Sequence, residues 1–138
     1  LPPGLTLAAA TGVISGTPNK VGVYTVAATV TDKNGNTSST SFSWTVAPLD
    51  VTDVADRNLT VNTTMTNVTV AATGGVRNSS GQYIWSATGL PLGVTINTST
   101  GVISGRPTVK GTYNITVTAR DYQSPSNSAV DAFTWRVQ

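Results

Sequence analysis

Cysteine, histidine and glutamate are all missing from these 138 residues. Without cysteine there is no disulfide and no thiolate; without histidine the common zinc sites and every nucleophile–histidine pair are excluded too. Most residue sets that enzymes use are therefore absent, and no catalytic residue is expected. Charge is also scarce, at 10% of residues, and the eight basic side chains are scattered singly. A net charge of +2 spread in this way builds no basic patch, so nucleic acid is not an expected partner. No apolar run approaches the ~18 residues of a membrane span, and the first residues lack the charged and apolar regions of a signal peptide. The chain is expected to begin after any such signal or inside a longer protein.

What is abundant is small and polar. Seven of the ten asparagines open an Asn-X-Ser/Thr sequon, namely Asn36, Asn58, Asn62, Asn67, Asn78, Asn97 and Asn114, where chance would give about three. Outward strand positions filled with Asn and Thr two residues apart would produce these sequons as a by-product; the alternative is that several carry glycans. Either reading favours a solvated, extracellular surface.

The word "TGVISG" occurs at 11–16 and again at 100–105. Aligning the two aligns much more: "LPPGLTL" at 1–7 with "LPLGVTI" at 90–96, Pro18 with Pro107, Gly22 with Gly111, Tyr24 with Tyr113 and Asp32 with Asp121, all at one offset of 89. Two extra residues then precede the match of "SFSWTV" to "AFTWRV". A period this long exceeds that of solenoid repeats, so each copy should be a domain. Residues 50–89 have no counterpart ahead of Leu1. The expected organisation is the carboxy-terminal half of a repeat at 1–48, completed by upstream sequence or by another chain, and a complete repeat at 49–138.

The elements read as strands. In "VYTVAATVTD", Tyr24, Val26, Ala28 and Val30 alternate with polar or small residues, which is the period-two signature of a strand with one buried face. "TYNITVTARD" repeats it, with Tyr113, Ile115, Val117 and Ala119 inward. Phe42, Trp44 and Val46, and again Phe133, Trp135 and Val137, mark the last strand of each copy. Between them, "DKNGN" at 32–36 carries an Asn-Gly pair suited to a tight hairpin, and "DYQSPSNS" makes a longer loop. Further strands are expected at 59–61 with the preceding residues, at 68–72 and at 83–87, with a turn at "NTSTG", 97–101. About seven short strands broken by Gly, Pro and Asn turns indicate an antiparallel β-sandwich. In it "TGVISG" is a structural corner, since no helix follows to make a phosphate loop.

The segment "YIWSATGLPLGVTINTSTGVISGRPTVKGTYNITVTARD" resembles the putative-immunoglobulin (PIG) repeats, related to the dystroglycan-type cadherin-like domains. The likeness covers 50–138 and the back half of a second copy at 1–48. It implies an all-β fold of antiparallel immunoglobulin/cadherin-like β-sandwich repeats. It further implies extracellular spacers, adhesion modules or appendages of secreted enzymes, mostly prokaryotic.

In a sandwich of this strand order the first strand starts where the sixth finishes. Asp50 and Asp53, and also Asp56, would then approach Asp121, and their oxygens could hold one Ca²⁺ that stiffens a linker, as the cadherin-like resemblance implies. The competing reading is solvated aspartates in a linker and a loop. Asp32, Asn34 and Asn36 look like part of a calcium loop, but a hairpin explains them without metal. Trp44, Trp85 and Trp135 fall on apolar faces and read as core rather than as a sugar platform, with Tyr122 left in a loop.

A half sandwich leaves Tyr24, Val26, Val30, Phe42 and Trp44 without an opposing sheet. At ~1.5–3 kcal/mol per large apolar side chain, that forfeits on the order of 10 kcal/mol. Other strands must cover the face, from upstream sequence or from a second copy by strand addition. The expected function is a non-catalytic extracellular or cell-surface repeat, structural or adhesive, that meets neighbouring repeats or copies of itself. The alternative is an accessory module of a secreted polysaccharide-degrading enzyme, with surface glycans as partners.

Overall fold

The computed structural model describes residues 1–122 and 127–138, which form two compact units, Leu1–Pro48 and Leu49–Gln138. Among the described residues there is no helix. The period-two runs become the long strands, and Gly, Pro and Asn break the chain between them, as alternation and turn chemistry require.

In the first unit, β1 (Leu5–Ala8) pairs antiparallel with β2 (Val13–Gly16), and β3 (Gly22–Thr31) pairs antiparallel with β4 (Thr37–Val46). The second unit begins with β5 (Asp50–Val51), β6 (Arg57–Leu59), β7 (Val68–Thr69), β8 (Ala72–Thr73) and β9 (Ile84–Thr88). It continues with β10 (Val94–Ile96), β11 (Val102–Gly105), β12 (Gly111–Arg120) and β13 (Ser128–Val137). These make a four-stranded sheet in the order β6-β13-β12-β9, a three-stranded sheet in the order β10-β11-β7, and the short pair β5-β8. Among the described residues, the ladders of this unit are antiparallel except β6 with β13, which is parallel.

The core of the second unit lies between these sheets. Alternate residues of β12 (Ile115, Val117, Ala119), Phe133 and Trp135 of β13, and Trp85 of β9 meet Val94, Ile103 and Val68 from the facing sheet. Trp85 and Trp135 are buried, as expected of core tryptophans, and Phe133 leans on Trp135 with ring centroids 5.3 Å apart.

The long hairpins of the two units share one register. Tyr24 faces Trp44 and Val26 faces Phe42 across β3 and β4; Tyr113 faces Trp135 and Ile115 faces Phe133 across β12 and β13. Both tyrosines tie the strand to the chain four residues upstream, Tyr24 Oη donating to the Lys20 carbonyl and Tyr113 Oη to that of Val109, each at 3.0 Å.

Several local expectations need correction. The strand expected at 59–61 with the preceding residues occupies Arg57–Leu59, and past it Val61 N–H still bonds the Gln138 carbonyl. The single strand at 68–72 is two: Val70 N–H still bonds the Gly101 carbonyl in the register of the β7–β11 ladder, and the chain then passes to β5, with Ala71 accepting Thr52 N–H and Ala72 pairing with Val51. The strand at 83–87 runs one residue later. The turn at 32–36 is a five-residue loop rather than a two-residue hairpin. A type I′ turn needs positive φ at both central residues, and of Asn34 and Gly35 only Gly35 has it, at 86°. Of the loop "DYQSPSNS", residues 123–126 lie outside the described residues.

Candidate functional site

The two units carry similar residues at matching places and bury several of them differently, although Val26, at 3% exposed, is as enclosed as its counterpart Ile115 at 1%. Phe133 is 6% exposed, whereas its counterpart Phe42 is 40% exposed; Ala119 is fully enclosed, whereas Val30 in its place is 68% exposed. Ile103, in the second "TGVISG", is completely buried, and Ile14 in the first is only half-buried. For the identical pairs, Phe42 with Phe133 and Ile14 with Ile103, the difference comes from neighbours rather than from the residues.

The second unit shows which neighbours matter. β9 pairs with 116–120 of β12, β6 with 135–137 of β13, and β7 with Val102 and Ile103 of β11. Among the described residues, the matching edges in the first unit, on β3, β4 and β2, have no such partner. Each presents unpaired backbone N–H and C=O groups beside apolar side chains, the combination that invites another strand.

Glycine records the same contrast. Gly101 has φ +69°, and a Cβ there would lie 2.9 Å from both the Trp85 ring and the Val70 carbonyl oxygen. Gly12, at the matching position with φ +72°, would meet nothing within 4 Å.

Both hairpins close with an aspartate clasping an asparagine. In the first unit, Asn36 donates its backbone N–H to Asp32 Oδ1 at 2.9 Å and its Nδ2 to Oδ2 at 2.8 Å. In the second, Asn127 donates its N–H to Asp121 Oδ1 at 2.8 Å and its Nδ2 to Oδ2 at 3.0 Å. The two extra residues fall inside the second loop, which hid this correspondence from the ungapped alignment. Asp32 is exposed, and the Asn36 side-chain amide, followed by the loop N–H groups, lowers its pKa below the ordinary 3.8. Asp121 is 1% exposed, and its Oδ2 also accepts Val76 N–H at 3.2 Å.

The structure does bring Asp121 beside Leu49, both flanking Gly75, so the start of β5 and the end of β12 meet. Asp50 and Asp53, however, are exposed, while Asp121 is turned inward onto N–H donors. Among the described residues no three acidic side chains group as a metal site. N–H donors suit an anion; a calcium ion needs oxygens. Asp56 and Asp131 instead bind backbone: Thr134 N–H donates to Asp56 Oδ1 at 2.6 Å, and Val54 N–H to Asp131 Oδ2 at 2.7 Å. Asp131 escaped the sequence reading because its partner lies 77 residues away.

The sequon asparagines differ in their bonding. Asn36 Nδ2 is held by Asp32 and Asn78 Nδ2 by Gln82 Oε1 at 3.3 Å. Asn97 Oδ1 caps the turn at 97–101 by accepting Ser99 and Thr100 N–H, and Asn114 Oδ1 accepts the Thr134 hydroxyl. Asn58, Asn62 and Asn67 are exposed.

The family described as "Putative Ig domain" matches this chain twice, over residues 1–47 and 48–138. The chain belongs to that family. It is also 35% identical over 142 residues to the serine-rich adhesin for platelets of Staphylococcus aureus, a match that covers 99% of this chain. The chain spans only 6% of that adhesin's length. Among solved structures, mouse cadherin-23 EC22-24 superposes with a TM-score of 0.55 at 17% identity, covering 98% of this chain and 49% of that one. A "putative alpha-galactosidase" from Bacteroides fragilis superposes at 0.53 with 23% identity, covering 65% of this chain and 17% of that one. These structural likenesses establish the fold: antiparallel immunoglobulin/cadherin-like β-sandwich repeats.

Proposed function

We propose that this chain is a non-catalytic structural and adhesive segment of an extracellular prokaryotic surface protein, in which immunoglobulin-like repeats stand in tandem and join by strand complementation. The observation that carries the reading is the repeat itself: one hairpin pattern occurs twice in a single register, closed over in the second unit and open along three edges in the first. An array of such repeats suits a stalk that holds a binding surface away from the cell. The likeness to an adhesin across nearly the whole chain supports this role.

The chemistry of the side chains supports it too. Trp85 and Trp135 are buried and Trp44 is half-buried, so the tryptophans serve packing rather than a sugar-stacking row. That favours the structural reading over an accessory carbohydrate-binding module. The aspartates act in this reading as hydrogen-bonding and solvated groups rather than as calcium ligands.

The test is light scattering across a concentration series, with and without a chelator, alongside a cell-adhesion assay on immobilised chain. Cell attachment that does not respond to the chelator is the expected result; ordered association would show that copies of this chain also complement one another. Sugar-dependent binding without either would refute it and favour the enzyme-appendage reading. Loss of association on chelation would return Asp50, Asp53 and Asp121 to the role of calcium ligands.

A further inference from the structure

The open face of the first unit holds two features that nothing in that unit uses. Gly12 has the backbone conformation and the empty surroundings that Gly101 devotes to the Trp85 ring and the Val70 carbonyl. Asp32 is clasped like Asp121, yet among the described residues of its unit it lacks the counterpart of the Val76 N–H that Asp121 Oδ2 accepts. Val76 and Trp85 both lie in the stretch 50–89, for which the first copy has no match. We propose that Gly12 and Asp32 are docking residues for a front half-repeat of the kind seen at 49–89, supplied in cis from directly ahead of Leu1. Gly12 receives the tryptophan of its last strand, and Asp32 receives a loop amide.

This inference rests on reading Leu1–Pro48 as a back half, and it adds register and specificity. The last strand of the incoming half pairs with 27–31 of β3, as β9 pairs with 116–120. A shorter one lies parallel to the end of β4, and a third pairs with Val13 and Ile14. The amide that reaches Asp32 must follow a small residue at positive φ. Gly75 has φ +57°, and a Cβ there would press on Asp121 Oδ2 at 3.2 Å and on Leu49 Cβ at 3.0 Å. A segment with a bulky residue at that place is rejected.

The supply in cis follows from the second unit. There β9 ends at Thr88, and the chain passes through Gly89 straight into Leu90, the counterpart of Leu1, so no linker is needed. Donation by a second copy would require that copy to open its own unit and expose Trp85, Val68 and Val70, which are buried in its core.

The experiment compares the 138-residue chain with the same chain carrying residues 49–89 fused ahead of Leu1. Hydrogen exchange is read by mass spectrometry over 27–31 and over the second unit as an internal reference. The fusion should slow exchange at 27–31 by about 100-fold or more, because those amides become part of a central ladder. Gly12→Ala should remove at least about tenfold of that protection in the fusion and much less in the original chain, since backbone strain is common to both and contact with the ring is not. The extra penalty should vanish when Trp85 of the added copy is also changed to Ala. Asp32→Asn should likewise cost more in the fusion than in the original chain.

An unprotected β3 in the fusion overturns the proposal, and so do penalties that are equal in the two contexts. Protection in the original chain that grows with concentration would mean a second copy is the donor, and would overturn the cis source. A fusion that closes but supports no adhesion would defeat the functional reading above and leave this one standing.

Discussion

Replacing the same isoleucine in the two copies of "TGVISG" should have very different effects. Ile103 is fully buried on β11, a strand hydrogen-bonded on both edges, to β10 and to β7. Its side chain sits in the cluster that includes Trp135, Ile115 and Val94. Ladders on both sides keep the backbone from collapsing into the space left by Ile103→Ala, so the cost falls in the upper part of the range for such changes, about 4 kcal/mol. Ile14 is half-buried on β2, which has β1 as its neighbour. Water already reaches that side chain, so Ile14→Ala forfeits part of a transfer term and leaves no closed cavity, for about 1 kcal/mol. Native-state hydrogen exchange read separately over each unit tests this. With tenfold per ~1.4 kcal/mol, Ile103→Ala should speed the slowest amides of Leu49–Gln138 by nearly 1,000-fold, and Ile14→Ala those of Leu1–Pro48 by less than about tenfold. Equal accelerations would refute the claim that the first unit's inward face lacks its cover.

Other expectations concern the aspartates and the asparagines. Asp121→Ala should destabilise the second unit by about 2–4 kcal/mol, since it strands the buried Val76 and Asn127 donors; urea titration measures this, and the midpoint should not respond to a chelator. Asp131→Ala should speed exchange of the Val54 amide while leaving the core of β12 slow, a local effect that peptide-resolved exchange separates from a global one. Asp32 has a lowered folded-state pKa, so its stabilising contribution is complete above 3.8 and is lost as pH falls through that lowered value. An acid titration of the 32–36 loop followed by NMR should show this loss, and Asp32→Asn should abolish it. Produced in cells that glycosylate asparagine, the chain should carry glycans at Asn58, Asn62 and Asn67 and few at Asn36 and Asn78, whose Nδ2 groups are engaged; glycopeptide mapping decides.

Much of the fold was legible because long strands state themselves. The alternation from Tyr24 to Val30 and from Tyr113 to Ala119 fixes strand, face and register together. The 89-residue offset exposed the repeat, and with it the uncovered face at Phe42 and Val30. The short elements were less legible. Whether the run from Val68 stays in one sheet depends on Val51, the partner of Ala72 twenty-one residues away, and no local pattern carries that information. The clasp of Asp121 by Asn127 was masked by two inserted residues, and without it Asp121 looked like a candidate cation ligand. The backbone bonds of Asp131 and Asp56 were not legible because their N–H partners, on Val54 and Thr134, are met only in the folded chain.

The single parallel ladder bears on how such a repeat answers a pull. β6, near the start of the second unit, runs alongside β13, which ends it, and the pairing of Arg57, Asn58 and Leu59 with 135–137 is extended by bonds from Gln138 N–H to the Leu59 carbonyl and from Val61 N–H to the Gln138 carbonyl. Tension applied through the two ends of the unit drags these strands in opposite directions along their common axis. The bonds are then loaded in shear and must yield together, whereas an antiparallel hairpin pulled at its open end would unzip one bond at a time. Thr134 N–H on Asp56 adds a rung to the same clamp. In the role proposed above, a pull through its two ends would load the repeat along the direction in which it is hardest to extend.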